Sequence, residues 1–206
     1  MRVMVAAGAV LLIAAGAALA MLPRSATPST APAIVPHAAA TRVADGRIWF
    51  TTGTAPLAMP DGASRPVRSL IAVTGAMQFG DFRWNEAGVP AEGPVWIRID
   101  LGRQLLSVFR GANEIGTAVI LYGTDGKPTP TGDFKVLARA AAYRSRTYDA
   151  DMPFMLRLTD DGVAIHASAV RRGFATHGCI GVPEDFARRL FAVVRRGDPV
   201  AIMPVV

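Results

Sequence analysis

Glycine and proline interrupt this chain so often that most of it has room only for strands. The 206 residues hold 20 glycines and 15 prolines, and over residues 42–182 the apolar runs between them are short. A helix needs about ten uninterrupted residues, whereas a strand needs about five. Val95, Ile97 and Ile99 alternate with Trp96, Arg98 and Asp100, and Leu101-Gly102-Arg103 then turns the chain into residues 104–110, so a hairpin is expected. Residues 115–122 and 134–138 read as further strands, and residues 155–158 and 163–165 as a pair turned by Asp160-Asp161-Gly162. A succession of short strands with polar turns describes a mostly β sandwich or barrel rather than a βαβ arrangement.

One stretch departs from that pattern. Pro183 suits a first helical position, and Glu184 and Asp185 complement the positive helix start. Phe186, Leu190, Val193 and Val194 recur at helical spacing, Arg195-Arg196 fall at the end, and Gly197 closes it. A single C-terminal amphipathic helix is expected, apolar face on the sheet and Arg188, Arg189, Arg195 and Arg196 in solvent, with residues 200–205 adding a last strand.

The first residues follow a different rule. After Met1 and Arg2 the chain runs to Leu22 without a charge, long enough to span a bilayer, and Ala18-Leu19-Ala20 offers a small-residue cleavage site. Residues 1–22 are expected to be a signal peptide or an N-terminal membrane anchor, with membrane contact through residues 3–22; either exports the rest of the chain. Residues 23–41, rich in Pro, Ala, Ser and Thr, read as a linker that includes a solvated His37. Residues 42–94 form a small extension whose role the sequence does not assign; Trp49 and Trp84 are expected to pack against the following domain rather than stack on sugars.

The 22 basic residues exceed the 16 acidic ones, for a net charge of +6, and all but Lys127 and Lys135 are arginine. They form no basic stripe interleaved with aromatics, so no nucleic-acid partner is expected, and a solvated surface near a polyanionic envelope is the better reading.

Cys179, the one cysteine, follows His177 and Gly178, with His166 upstream. A thiol becomes a potent nucleophile when an imidazole takes its proton. Three other readings compete: an inert buried thiol, a zinc site of His166, His177 and Cys179, and a disulfide, which one cysteine permits only with a second molecule. The turn-like setting argues against the first, and the missing Cys-x-x-Cys or His-Glu-x-x-His pattern argues against the second.

At these residues the sequence resembles the L,D-transpeptidase catalytic domain, the cysteine enzymes that cross-link bacterial peptidoglycan. That family carries an upstream histidine, a spacer, then Ser/Thr-His-Gly-Cys and an apolar residue; here these are His166 and Thr176-His177-Gly178-Cys179-Ile180. Thr129-Pro130-Thr131-Gly132-Asp133-Phe134 resembles the family's Thr-Pro-x-Gly-x-Phe turn and strand, and the likeness covers much of residues 95–203. The spacer from His166 to Thr176 is shorter than the family usually has, and Gly181 stands where many members carry Arg or Asn.

The resemblance implies a β-sandwich or barrel catalytic domain over residues 95–206, with a lid over residues 139–153 whose Tyr143 and Tyr148 touch substrate. Cys179 is then the nucleophile and His166 the base, oriented by the backbone carbonyl of Ala167, while Thr176, His177 and Gly178 support the oxyanion; the alternative exchanges the two histidines. Implied substrates are peptidoglycan tetrapeptide stems, joined as 3→3 cross-links or passed to another amine, in a bacterial cell-envelope protein that is periplasmic, secreted or membrane-anchored. Hydrolysis of the same thioester by an L,D-carboxypeptidase, or an inactive cell-wall-binding module, are the alternatives. Carbapenem-type β-lactams are implied as covalent inhibitors, and no metal or organic cofactor is expected.

Overall fold

The computed structural model describes residues 40–50, 55–123 and 126–205. The expected export segment, nearly all of the linker and His37 lie outside the described residues. The chain first forms β1 (Ala40–Ala44), β2 (Arg47–Phe50), β3 (Ala55–Ala58), β4 (Ser64–Val67), β5 (Ser69–Ile71) and β6 (Phe82–Trp84). The long central strands follow as β7 (Val95–Asp100), β8 (Leu105–Arg110) and β9 (Asn113–Val119). Shorter ones come next: β10 (Gly132–Lys135), β11 (Ala138–Ala140), β12 (Arg144–Ser145), β13 (Ala150–Asp151), β14 (Met155–Arg157), β15 (Ala164–Ala167) and β16 (Ile180–Val182). Helix α1 (Glu184–Val193) and β17 (Pro199–Met203) complete a mostly β protein.

Among the described residues one nine-stranded sheet runs β1-β2-β5-β9-β8-β7-β17-β10, with β6 also on β9, and a four-stranded sheet runs β11-β14-β15-β16. The hairpin read from alternation is β7 on β8, paired from Val95↔Arg110 to Asp100↔Leu105. Ile97, Ile99, Leu106, Val108 and Ile115 of the large sheet share one core with Leu156, Ile165, Ile180 and Val182 of the smaller sheet and with Phe186 and Leu190 of α1. Residues 42–94 are woven into this body: β6 pairs with β9, and Trp84 meets the Phe186 ring edge-on at 5.6 Å. β1, β2 and β5 extend the large sheet at its edge, and the separate β3–β4 hairpin covers its outer face, where Met59 and Val67 pack with Trp96 and Phe109.

Two local expectations need correction. Residues 134–138 are not one strand, because the chain changes sheets at Val136, whose N–H donates to Asp198 while that of Leu137 donates to Arg157. Pro183 is not the first helical residue but the extended cap before it, at φ −55° and ψ 143°, and the helix ends before Arg195 and Arg196. The acidic first turn is Glu184 and Asp185, as expected.

Candidate active site

β15 and β16 are parallel neighbours, with Ile165 opposite Ile180 and His166 opposite Gly181. Side chains alternate along a strand, so while Ile165, Ile180 and Val182 face the core, His166 and the thiol just before β16 lie on the other side, one diagonal step apart. Cys179 is half-buried beside Met152, Met155 and Ala164. Its Sγ lies 3.9 Å from the Gly162 carbonyl, and no hydrogen bond joins it to His166 among the described residues. Such contacts are often long before substrate arrives.

His166 Nδ1 is 2.8 Å from the Ala167 carbonyl. A carbonyl only accepts, so Nδ1 carries the proton and Nε2 keeps its lone pair. Burial pushes the imidazole pKa down, offset in part by the Ala167 bond. Burial pushes the Cys179 thiol up; the Ala164 backbone and the Lys127 charge oppose that rise, and Asp161 adds to it. Both shifts favour a neutral thiol beside a neutral imidazole, rather than the ion pair that the motif alone brings to mind.

The turn Thr176-His177-Gly178-Cys179 is held from several sides. Thr176 Oγ1 donates to the Cys179 carbonyl at 2.5 Å, and the Thr176 N–H donates to Tyr122 at 3.1 Å. Gly178 has φ +97°, which a side chain adopts only with strain. Room is not the issue at that position, since the nearest atoms to a Cβ there would be 3.6 Å away. The tight approach is at Gly123, where a Cβ would come within 2.6 Å of Gly178 N. Thr129, buried, accepts from the Gly123 N–H at 2.9 Å and donates to the Gly178 carbonyl at 3.0 Å. Sequence reasoning gave Thr129 no role; its place in the Thr-Pro-x-Gly-x-Phe stretch was the only signal.

Of the two lid tyrosines, Tyr148 reaches this turn. Its ring stacks on His177 with centroids 4.6 Å apart, and its hydroxyl accepts from Lys127 Nζ at 3.1 Å. Tyr143 instead lines a separate surface groove with Arg144, Asp151 and Pro153. His177 therefore faces the lid, and among the described residues no three His, Cys, Asp or Glu side chains converge as a metal site would require.

The model of the L,D-transpeptidase catalytic domain, YkuD, matches residues 94–202, just over half of the chain. The chain belongs to the L,D-transpeptidase catalytic domain family. It is similar to L,D-transpeptidase 1 of Mycobacterium tuberculosis, 29% identical over an alignment 114 positions long that covers 47% of this chain and 45% of that protein. The match thus spans less than half of that relative's length. In fold it is similar to an L,D-transpeptidase from Stackebrandtia nassauensis, with a TM-score of 0.51 at 20% identity over 56% of this chain and 60% of that one. A further solved relative is L,D-transpeptidase 3 from Mycobacterium tuberculosis in complex with a faropenem-derived adduct, at TM-score 0.49 and 19% identity over 53% and 60% of the two chains.

Within an L,D-transpeptidase domain, the glycine at position 181 has a local cause. A Cβ there would lie 2.8 Å from the Ser168 Cβ, and the Gly181 backbone exchanges two 2.9 Å hydrogen bonds with Leu121. Ser168, whose N–H donates to the Val182 carbonyl at 2.8 Å, occupies the space that a side chain at 181 would take.

Proposed function

We propose that this protein is an L,D-transpeptidase that acts on peptidoglycan tetrapeptide stems through a Cys179 thioester, outside the cytoplasm. The observation that carries the reading is the His166 ring, tied through Nδ1 to the Ala167 carbonyl while it shares a strand face with Cys179. As Sγ attacks the carbonyl of the third stem residue, Nε2 takes the thiol proton and a C–S bond forms. The oxyanion faces the N–H groups of Gly178 and Cys179. Its collapse breaks the bond to the terminal D-alanine, whose nitrogen takes the proton back from His166. An amine of a second stem then displaces the thiol and forms a 3→3 cross-link; water in its place gives the carboxypeptidase reaction.

The stacking of His177 on Tyr148 supports giving the base role to His166. The depressed imidazole and the raised thiol support proton transfer during attack rather than a standing ion pair. Carbapenem-type β-lactams fit the same nucleophile, because ring opening acylates Sγ without a leaving group to escape.

Intact-mass analysis of residues 40–206 with a disaccharide-tetrapeptide, beside Cys179→Ala and His166→Ala, tests the reading. A cross-linked dimer from the wild type alone is expected. Tripeptide without dimer would replace it with the carboxypeptidase, and equal product from Cys179→Ala would rule out the thiol route.

A further inference from the structure

We propose that Thr129 is a positioning residue for the oxyanion pocket: its hydroxyl locks the Gly178–Cys179 peptide so that the Cys179 N–H faces the developing negative charge. This rests on the thioester reading above. Gly178 must be glycine for its φ of +97°, yet a glycine is also the residue about which a peptide plane turns most freely. Something must stop that plane from flipping. A flip would aim the Gly178 carbonyl, an acceptor, at the place where a donor is needed.

Thr129 is placed to prevent it. The residue is only 5% exposed, its oxygen is fixed by the Gly123 N–H at 2.9 Å, and its proton goes to the Gly178 carbonyl at 3.0 Å. Gly123 and Gly178 are themselves buried, so neither group has water as a substitute. In a trans peptide the C=O and N–H point in opposite directions, so holding the Gly178 carbonyl toward Thr129 turns the Cys179 N–H away from it. Among the described residues no backbone acceptor meets that N–H.

Two reactions of the same thiol separate this role from a structural one. In alkylation by iodoacetamide, Sγ displaces iodide and no oxyanion forms. In acylation by a carbapenem, Sγ adds to the lactam carbonyl, the C–N bond breaks and the ring nitrogen takes the proton, by way of an oxyanion. Thr129→Val keeps the shape and removes the hydroxyl, whereas Thr129→Ser keeps the hydroxyl. The valine variant is expected to alkylate within about threefold of wild type but acylate at least about tenfold slower, and the serine variant to match wild type within about threefold in both reactions. An unchanged acylation rate in Thr129→Val would overturn the proposal. So would parallel loss of both reactions, including through misfolding seen by circular dichroism, or a serine variant that fails to restore acylation. Wild type that alkylates but is never acylated would instead sink the transpeptidase reading itself.

Discussion

Lys127 carries the charge that opposes burial at the Cys179 thiol. Its pKa is raised chiefly by the hydrogen bond to the Tyr148 hydroxyl, and its positive charge pulls the Cys179 thiol down while Asp161 pushes it up. Replacing Lys127 by Met is therefore expected to raise the midpoint of the iodoacetamide rate–pH curve, which reads the thiol pKa, and Asp161→Asn to lower it. A rate–pH curve for each variant checks both signs. The imidazole yields a second prediction. Burial holds His166 below the usual value of about 6.5, so the neutral base persists into mildly acid solution. Carbapenem acylation should be level near pH 8 and fall through an acid limb whose midpoint lies below about 6.5. In His166→Ala the limb should vanish and the slower rate should climb with pH through the raised thiol pKa. An acid limb centred above pH 7 in the wild type would exclude a depressed His166 as the base.

The lid is a small element with its own internal ties: Arg144 binds Asp149 at 2.8 Å and Asp151 at 2.7 Å across the β12–β13 hairpin. These exposed pairs contribute little to stability, and Tyr148 links the hairpin to the Cys179 turn through its stack on His177 and to Lys127 through its hydroxyl. Removing the ring in Tyr148→Ala should loosen the cover, so that Cys179 alkylates about threefold faster; an unchanged or slower rate would show that the tyrosine does not close the site. At this scale the sequence was most legible where a pattern belongs to a single element. The β7–β8 hairpin and α1 followed from period and punctuation, and the Cys179 turn from its glycine. Thr129 and Gly181 were not legible as positions with a role, because their constraints come from Gly123, Gly178, Ser168 and Leu121, which are distant in the chain or in another strand. The break at Val136 was hidden for a related reason: its side chain stays in the core while its backbone changes partners.

Across the whole molecule the family match and the folded body have different edges. Alternation along β7 suggests an apolar and a polar face, yet five of its six residues are buried, because the β3–β4 hairpin covers the polar face at Trp96 and Arg98. Those strands carry no clear period, so their destination could not be read from them. Arg47 is fully buried and joins three parts of the chain, donating to the Asn85 carbonyl at 2.6 Å, Ser69 Oγ at 2.7 Å and the Glu114 carbonyl at 2.5 Å. Gly116 leaves room for Trp84, which a Cβ there would approach to 2.4 Å, so the core is shaped around the extension. A chain that begins at residue 94 would lose β6 from β9 and uncover Trp96 and Phe109. It is expected to lack a cooperative urea transition, whereas residues 40–206 should unfold in one step. Arg47→Met, which removes two buried hydrogen bonds and a partly buried one but keeps the apolar stem, should lower the stability of the longer chain by about 3 kcal/mol. If residues 94–206 unfold cooperatively at the same urea midpoint as the longer chain, the extension is an appendage and the fold is complete without it.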